Sequence, residues 1–144
     1  MKLLLVSLGY GGYAGMRYGD GMDDKLIDLR WQAINNSYFR QAVLNGQHMQ
    51  IVLMSLRRRE ESGPEVHEDC EHVYINVFGQ GRIVIDGKES QFSEHDWVLV
   101  RPGVEHSVIN TGDQPLKMVA IYSPPHYSAI NKRKPRKRPK PTSQ

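Results

Sequence analysis

The chain has 144 residues, 39% of them hydrophobic and 24% charged, and a formal net charge of +3. This length suits one domain with its own core, and no apolar run approaches the roughly 18 to 20 residues of a transmembrane helix, which excludes such a helix. The single cysteine, Cys70, excludes an internal disulfide and favours a reducing compartment, so we expect a cytoplasmic protein, or a nuclear one in a eukaryote.

Residues 1–35 predict a poorly defined N-terminal extension. Within it, residues 24–34 (DKLIDLRWQAI) predict a short amphipathic helix, with one face formed by Leu26, Ile27, Arg30 and Ile34. We expect this helix to pack on the outside of the domain that follows.

From residue 38 to residue 126 the chain consists of short apolar or alternating runs separated by turn residues. The runs are rich in Val, Ile and aromatic residues and cover 50–56, 72–78, 81–87, 96–102, 106–110 and 116–123. Segments such as FGQG and NTGDQP supply the Gly, Asn, Asp and Pro of tight turns. Six or more short strands at this spacing predict an all-β domain over residues 36–128, built as an antiparallel sandwich or barrel.

Residues 129–144 predict a disordered basic tail, because prolines alternate with like charges and leave nothing to bury. Its seven basic residues leave residues 1–131 with 12 basic and 16 acidic groups. The tail is either a solubilising segment, a nuclear localisation signal or a nonspecific contact for nucleic-acid phosphates. The residues concerned are Lys132, Arg133, Lys134, Arg136, Lys137, Arg138 and Lys140.

The stretch EVHEDCEH (residues 65–72) gathers carboxylates, imidazoles and a thiol into eight residues. Together with Gly79 it resembles the first sequence motif of the cupin family of small β-barrels. Glu65 stands at the place of the motif's first His, His67 at its second His, and His72 at its Glu.

The segment GVEHSVIN (residues 103–110) is similar to the second cupin motif, with His106 and Asn110 at the motif's His and Asn. His95 and Arg101 stand where that motif has a Gly and a Pro. The resemblance covers residues 45–127, and it is strongest to small single-domain cupins grouped with mannose-6-phosphate isomerase-like proteins. It implies a cupin-type antiparallel β-barrel, or jelly roll.

The resemblance also implies one divalent metal ion, of the Zn, Fe, Mn, Ni or Cu series, held by Glu65, His67, His72 and His106. Strand alternation agrees with this set, because Glu65 and His67 are two residues apart and share a face. Two alternatives stay open. A one-residue slip would replace His72 by Glu71, and Glu65 is either a ligand or a partner that orients His67.

We expect Tyr74, Asn76 and Tyr122 to line the pocket beside the metal, with barrel packing as the alternative role of the two tyrosines. Cys70 is placed in the turn, and His48, His95 and His126 have no partner at ligand spacing, which favours surface or rim positions. His67 and His106 would also suit a polar barrel lining without metal.

Two functions from different classes fit these features. One is a metal-binding cupin that acts on a small polar metabolite, either by sugar-phosphate isomerase-like Lewis-acid chemistry or as a dioxygenase. The other is a noncatalytic small-ligand-binding module whose basic tail mediates nucleic-acid binding or nuclear targeting. A structural role with formation of a homodimer through an exposed sheet is a third interpretation, and no membrane contact is expected.

Overall fold

The structure is a computed structural model and describes residues 16–18, 24–127 and 132–133. Its elements in chain order are β1 (Met16–Tyr18), β2 (Asp24–Leu26), α1 (Leu29–Asn35), β3 (Arg40–Asn45), β4 (Gln50–Leu56), β5 (Glu71–Phe78), β6 (Gly81–Ile85), β7 (Lys88–Phe92), β8 (Trp97–Val100), β9 (His106–Asn110), β10 (Leu116–Ser123) and β11 (Lys132–Arg133). The predicted all-β class is confirmed.

Two antiparallel sheets form the domain. The larger has the strand order β11-β3-β4-β10-β5-β8 and the smaller β7-β6-β9, while β1 and β2 pair separately. The segment before β5 extends the smaller sheet through bridges from Glu61 to Ile109 and from Glu65 to His106. This arrangement confirms the predicted cupin-type jelly roll.

The main core lies between the two sheets. Inward residues of the larger sheet, such as Tyr74 and Met118, share one buried cluster with Ile83, Phe92 and Val108 of the smaller sheet. Alternation explains this packing, since the burial of β5 changes at every residue from Glu71 to Phe78.

The helix covers the outer face of the larger sheet, as predicted, but its bounds differ from the prediction. It begins at Leu29, where the Asp28 side chain caps it by accepting from the Trp31 backbone N–H at 2.9 Å. Its buried contact is Ala33, which packs against Leu53 and Val119. The predicted face was wrong in part: Leu26 lies in β2 and is exposed.

The predicted strands 50–56, 106–110 and 116–123 match β4, β9 and β10 residue for residue. Five strands were not predicted: β3 and β7, and the two- or three-residue strands β1, β2 and β11. β7 has the sequence KESQF and is exposed at four of its five positions, so it carries no apolar alternation.

Two residues of the predicted tail, Lys132–Arg133, pair with Arg40 and Gln41 of β3. The remaining tail residues and most of the N-terminal extension lie outside the described residues. Within the part of the chain that the structure describes, no helix combines the length and apolar character that a membrane crossing requires.

Candidate metal centre

Three histidines from different parts of the fold meet between the sheets. His72 is the second residue of β5, His106 the first of β9, and His67 precedes β5. Their ligand nitrogens all lie within 4.8 Å of one another, and all three residues are buried. The structure thus brings together the three histidines that the sequence singled out.

Strand pairing places two of them. His72 lies directly opposite Tyr122 of β10 on the inward face. His106 lies opposite Glu65, with reciprocal backbone hydrogen bonds of 2.9 and 3.0 Å, so their side chains share a face. Glu71 is exposed, and the open alternative of a one-residue slip in β5 is not adopted.

The ring nitrogens of His72 and His106 point at each other. Nε2 of His72 is 3.1 Å from Nε2 of His106. Two imidazoles at about 2.0–2.1 Å from a shared ion stand about 2.9–3.4 Å apart for coordination angles between 90° and 109°. The observed separation fits this range.

A backbone carbonyl fixes the tautomer of His106. Its Nδ1 lies 2.9 Å from the Val104 carbonyl oxygen, which can only accept, so Nδ1 carries the proton and Nε2 keeps its lone pair. Nε2 of His67 is buried and has no hydrogen-bond partner among the described residues. A donor set of this kind fits a transition-metal ion.

Burial favours the neutral form of His72 and His106. Burial, with a smaller contribution from the nearby His106 and His67, lowers the pKa of His72 to about 3. The pKa of His106 is also lowered by burial, against the opposing effect of the Val104 hydrogen bond. Neutral imidazole is the form that binds a metal ion.

Glu65, which was predicted as a metal ligand, forms an ion pair with Arg40. Both of its carboxylate oxygens contact Nη2 of Arg40, at 2.9 and 3.1 Å, and Arg40 is 2% exposed. Oε2 of Glu65 is 3.5 Å from Nε2 of His67. Glu65 thus lies beside His67, and both of its predicted roles, as a metal ligand and as a partner that orients His67, stay predictions.

The charge of Glu65 is stabilised in this position. Burial alone raises its pKa, but the contacts with His67 and with the Arg40 guanidinium outweigh burial and lower the pKa to about 2. Glu65 is therefore an anion at neutral pH, held in place by a buried cation.

The predicted pocket-lining residues are all buried. The rings of Tyr74 and Tyr122 lie 4.9 and 5.0 Å from the His72 ring. The Asn76 amide instead donates to the carbonyls of Gly79 and Phe92, at 3.0 and 2.9 Å. Tyr74 and Tyr122 thus enclose the histidines. The Asn76 side chain instead binds the backbone of neighbouring segments, and its role in lining the pocket stays a prediction.

Sequence reasoning missed three residues at this site. Arg40 comes from the unpredicted strand β3, and Tyr127 packs on it with the guanidinium 4.5 Å from the ring centre. His126 was expected to lack a partner, which was wrong, because its ring lies 4.2 Å from that of His67. Its position after β10 carries no local signal for this contact.

A cavity of about 500 Å³ lies between β7 and β8, at the open edges of the two sheets. Ile83, Phe92 and Trp97 contribute to its lining, and none of the histidines does. The chemistry of the histidine group therefore resides elsewhere in the domain.

Residues 52–122 match the family described as "Cupin domain". This part of the chain is a cupin domain. A crystal structure of BH2720 from Bacillus halodurans is similar to it, with a TM-score of 0.74, 26% sequence identity, and coverage of 76% of this chain and 87% of that one. An RmlC-like cupin from Shewanella frigidimarina shares the fold, with a TM-score of 0.57, 19% identity, and coverage of 63% and 79%.

Two curated relatives extend the comparison. Protein YrkC of Bacillus subtilis is 33% identical over 108 residues, which cover 71% of this chain and 58% of YrkC. Protein L612 of Acanthamoeba polyphaga mimivirus is 29% identical over 104 residues, which cover 69% of this chain and 64% of L612. The chain therefore spans less than two thirds of the length of either relative.

Proposed function

We propose that the cupin domain binds one divalent transition-metal ion through His67, His72 and His106 and acts on a small polar metabolite beside it. The observation that carries this proposal is the 3.1 Å approach of two imidazole nitrogens, one of which has its lone pair directed inward by the Val104 carbonyl. Three imidazoles leave coordination positions open, which catalytic metal sites require.

A bound ion would supply Lewis-acid polarisation of a ligand oxygen or, if redox-active, O₂ activation, which correspond to isomerase-like and dioxygenase chemistry. The protein supplies the surroundings. Tyr74 and Tyr122 exclude water from one side of the histidines, and Glu65 places a fixed negative charge next to His67.

Metal titration tests this proposal. We expect the wild-type protein to bind one Ni²⁺ per chain at the histidine group, and His106→Ala and His72→Ala each to weaken that binding by more than the roughly 10- to 100-fold that loss of an outer partner produces. His48→Ala is the matched control, because His48 is exposed and is not one of the candidate ligands. Unchanged Ni²⁺ affinity in both buried variants, with circular dichroism showing a native fold, would contradict the site.

The role of Glu65 is resolved by the same titration. If Glu65 orients His67, Glu65→Gln weakens Ni²⁺ binding about 10- to 100-fold. If it is a direct ligand, the loss equals that of His106→Ala. Metal analysis of protein purified without a chelating tag then separates the two chemistries, since zinc alone counts against a dioxygenase.

We also propose that the basic tail contacts nucleic-acid phosphates, independently of the metal centre. Seven positive charges and no acid occupy residues 132–144. If all seven pair with duplex phosphates, the logarithm of the binding constant falls against the logarithm of the salt concentration with a slope of about −6. Replacing the basic residues of 134–140 by Gln, while keeping Lys132–Arg133 of β11, is expected to abolish this salt-dependent binding. Equal retention of duplex DNA by both proteins would leave the tail as a solubilising segment.

A further inference from the structure

A second group of ligand-type side chains adjoins the three histidines. His67, Cys70 and His126 offer ligand atoms that all lie within 4.8 Å of one another. His67 and Cys70 belong to the turn before β5, and His126 belongs to the segment after β10. Distant parts of the chain thus converge on a cluster that the three-histidine site does not use, apart from the shared His67.

We propose that His67, Cys70 and His126 form an outer cation site that takes a thiophilic ion such as Zn²⁺ or Cu⁺. Two imidazoles and one thiolate suit these ions, because thiolate sulfur selects soft and borderline cations. On binding, the Cys70 thiol proton leaves to solvent and the sulfur lone pair forms the bond to the ion. Neither oxidant nor reductant is required.

Two of the three side chains, His67 and Cys70, are buried and the third, His126, is exposed, so the cluster reaches from the interior to the surface. Cys70 is 2% exposed and His67 is 7% exposed, and Nε2 of His67 is buried without a hydrogen-bond partner in the described part of the chain. The His126 side chain is 28% exposed and forms the outer wall. Its Nδ1 lies 3.8 Å from the Asp69 carboxylate, which leaves Nε2 as the nitrogen to bind an ion.

The two sites share one histidine. His67 belongs both to the inner group, with His72 and His106, and to the outer group, with Cys70 and His126. An ion at the outer site would also tie the segment after β10 to the turn before β5. The competing explanation is that Cys70 only fills space, since it packs in the main hydrophobic core as a small apolar side chain would.

Thiol protection in the full wild-type chain tests the outer site, because Cys70 is the single cysteine of the protein. We expect saturating Zn²⁺ to slow alkylation of Cys70 under native conditions at least several-fold. His126→Ala should remove this protection, and His48→Ala, which changes an exposed histidine outside both groups, should keep it. Protection that persists in His126→Ala, or that is absent from the wild type, would overturn the proposal.

Cobalt spectroscopy separates the outer site from the inner one. In His106→Gln the inner group loses a ligand while the outer group stays complete, so added Co²⁺ should give a sulfur-to-cobalt charge-transfer band. Adding Cys70→Ser should abolish that band. If Co²⁺ gives no sulfur band in His106→Gln but the wild type binds Ni²⁺ through its histidines, the outer site is refuted and the proposed function stands. If the band appears while the Ni²⁺ affinity is unchanged in His72→Ala and His106→Ala, the outer site is supported and the proposed function is refuted.

Discussion

Removing the charge of Glu65 perturbs the most deeply buried ion pair described in the domain. Arg40 is 2% exposed and the Glu65 side chain is 16% exposed, with N–O distances of 2.9 and 3.1 Å. Lowering the pKa of Glu65 from 4.5 to about 2 corresponds to roughly 3 kcal/mol in favour of the native ionised form, at about 1.4 kcal/mol per pH unit. Loss of one partner from a buried pair costs a similar amount, about 3–5 kcal/mol.

We therefore expect Glu65→Gln to lower the free energy of unfolding by about 3 kcal/mol at pH 7 in metal-free protein. With a urea m-value of about 1.5 kcal/mol per M, the midpoint of denaturation falls by about 2 M. The difference has a defined pH dependence. Because the native pKa lies below the unfolded one, the stabilisation is complete above pH 4.5 and is lost as the pH falls towards 2.

Urea denaturation followed by circular dichroism, at pH 7 and pH 3 in the presence of a chelator, measures both effects. At pH 3 less than half of the difference between wild type and Glu65→Gln should remain. Glu71→Gln is the matched control: Glu71 is an exposed carboxylate six residues away, and its substitution should change stability by less than about 0.5 kcal/mol. Equal midpoints for the two variants at pH 7, or a Glu65→Gln deficit that is unchanged at pH 3, would refute the reasoning.

Further expectations concern the fold and the metal-free site. Gly79→Ala should lower the free energy of unfolding by about 2 kcal/mol or more, because φ is +94° and a Cβ would lie 2.9 Å from a backbone carbonyl oxygen. In Gly87→Ala the added Cβ meets no atom within 4 Å, so the free energy of unfolding should fall by only about 1 kcal/mol. His95→Gly should raise the free energy of unfolding by up to about 1 kcal/mol, because His95 has a φ of +73°, which is strained for any residue with a Cβ. Asn110→Ala should lower the free energy of unfolding by about 2–3 kcal/mol, because the buried Asn110 amide donates hydrogen bonds to two backbone carbonyls. Metal-free protein should lose stability as the pH falls from 6.5 towards 3, since His72 protonates more readily in the unfolded chain.

Thermal and urea unfolding check these expectations, and each has a contrary result. Equal losses of stability in the two glycine variants would contradict a steric clash at Gly79. A destabilised His95→Gly would show that the contacts of the His95 side chain stabilise the fold by more than its backbone strain costs. Unchanged stability of Asn110→Ala would show that the two hydrogen bonds of the Asn110 side-chain amide do not stabilise the fold. Metal-free stability that is flat between pH 6.5 and pH 4 would contradict the burial of a neutral His72.

Local patterns in the sequence accounted for the sheet framework and for the three histidines. Strands with alternating or uniformly apolar residues were visible because each buries at least one face, as in β4 and β10. His72 was placed inward by its parity with Tyr74 on β5, which is a property of the strand alone. His95 occupies the glycine position of the second motif and has a left-handed φ of +73°, which glycine adopts most readily.

The remainder of the site depends on contacts between residues far apart in the chain. Arg40 lies 25 positions from Glu65, and His126 lies 59 positions from His67. Neither segment carries a spacing that indicates a partner, and a single sequence does not report which strands become neighbours. Cys70 was placed correctly in the turn, but its distance to His126 follows only from the path of the chain after β10.

The strand that supplies Arg40, β3, contains an irregularity that separates the faces of its two ends. Arg40 and Ala42 pair with Met54 and Val52, which face the main core, but the register shifts between Ala42 and Leu44, and Leu44 pairs with Ile51 on the opposite face. This bulge breaks the period-two pattern, so the run RQAVLN shows no alternation from which a strand face could be predicted. Without the bulge, the two ends of β3 would not both keep their present faces. The extra residue in β3 thus allows Arg40 to face Glu65 between the sheets while Leu44, four residues later, pairs with Ile51 on the opposite face.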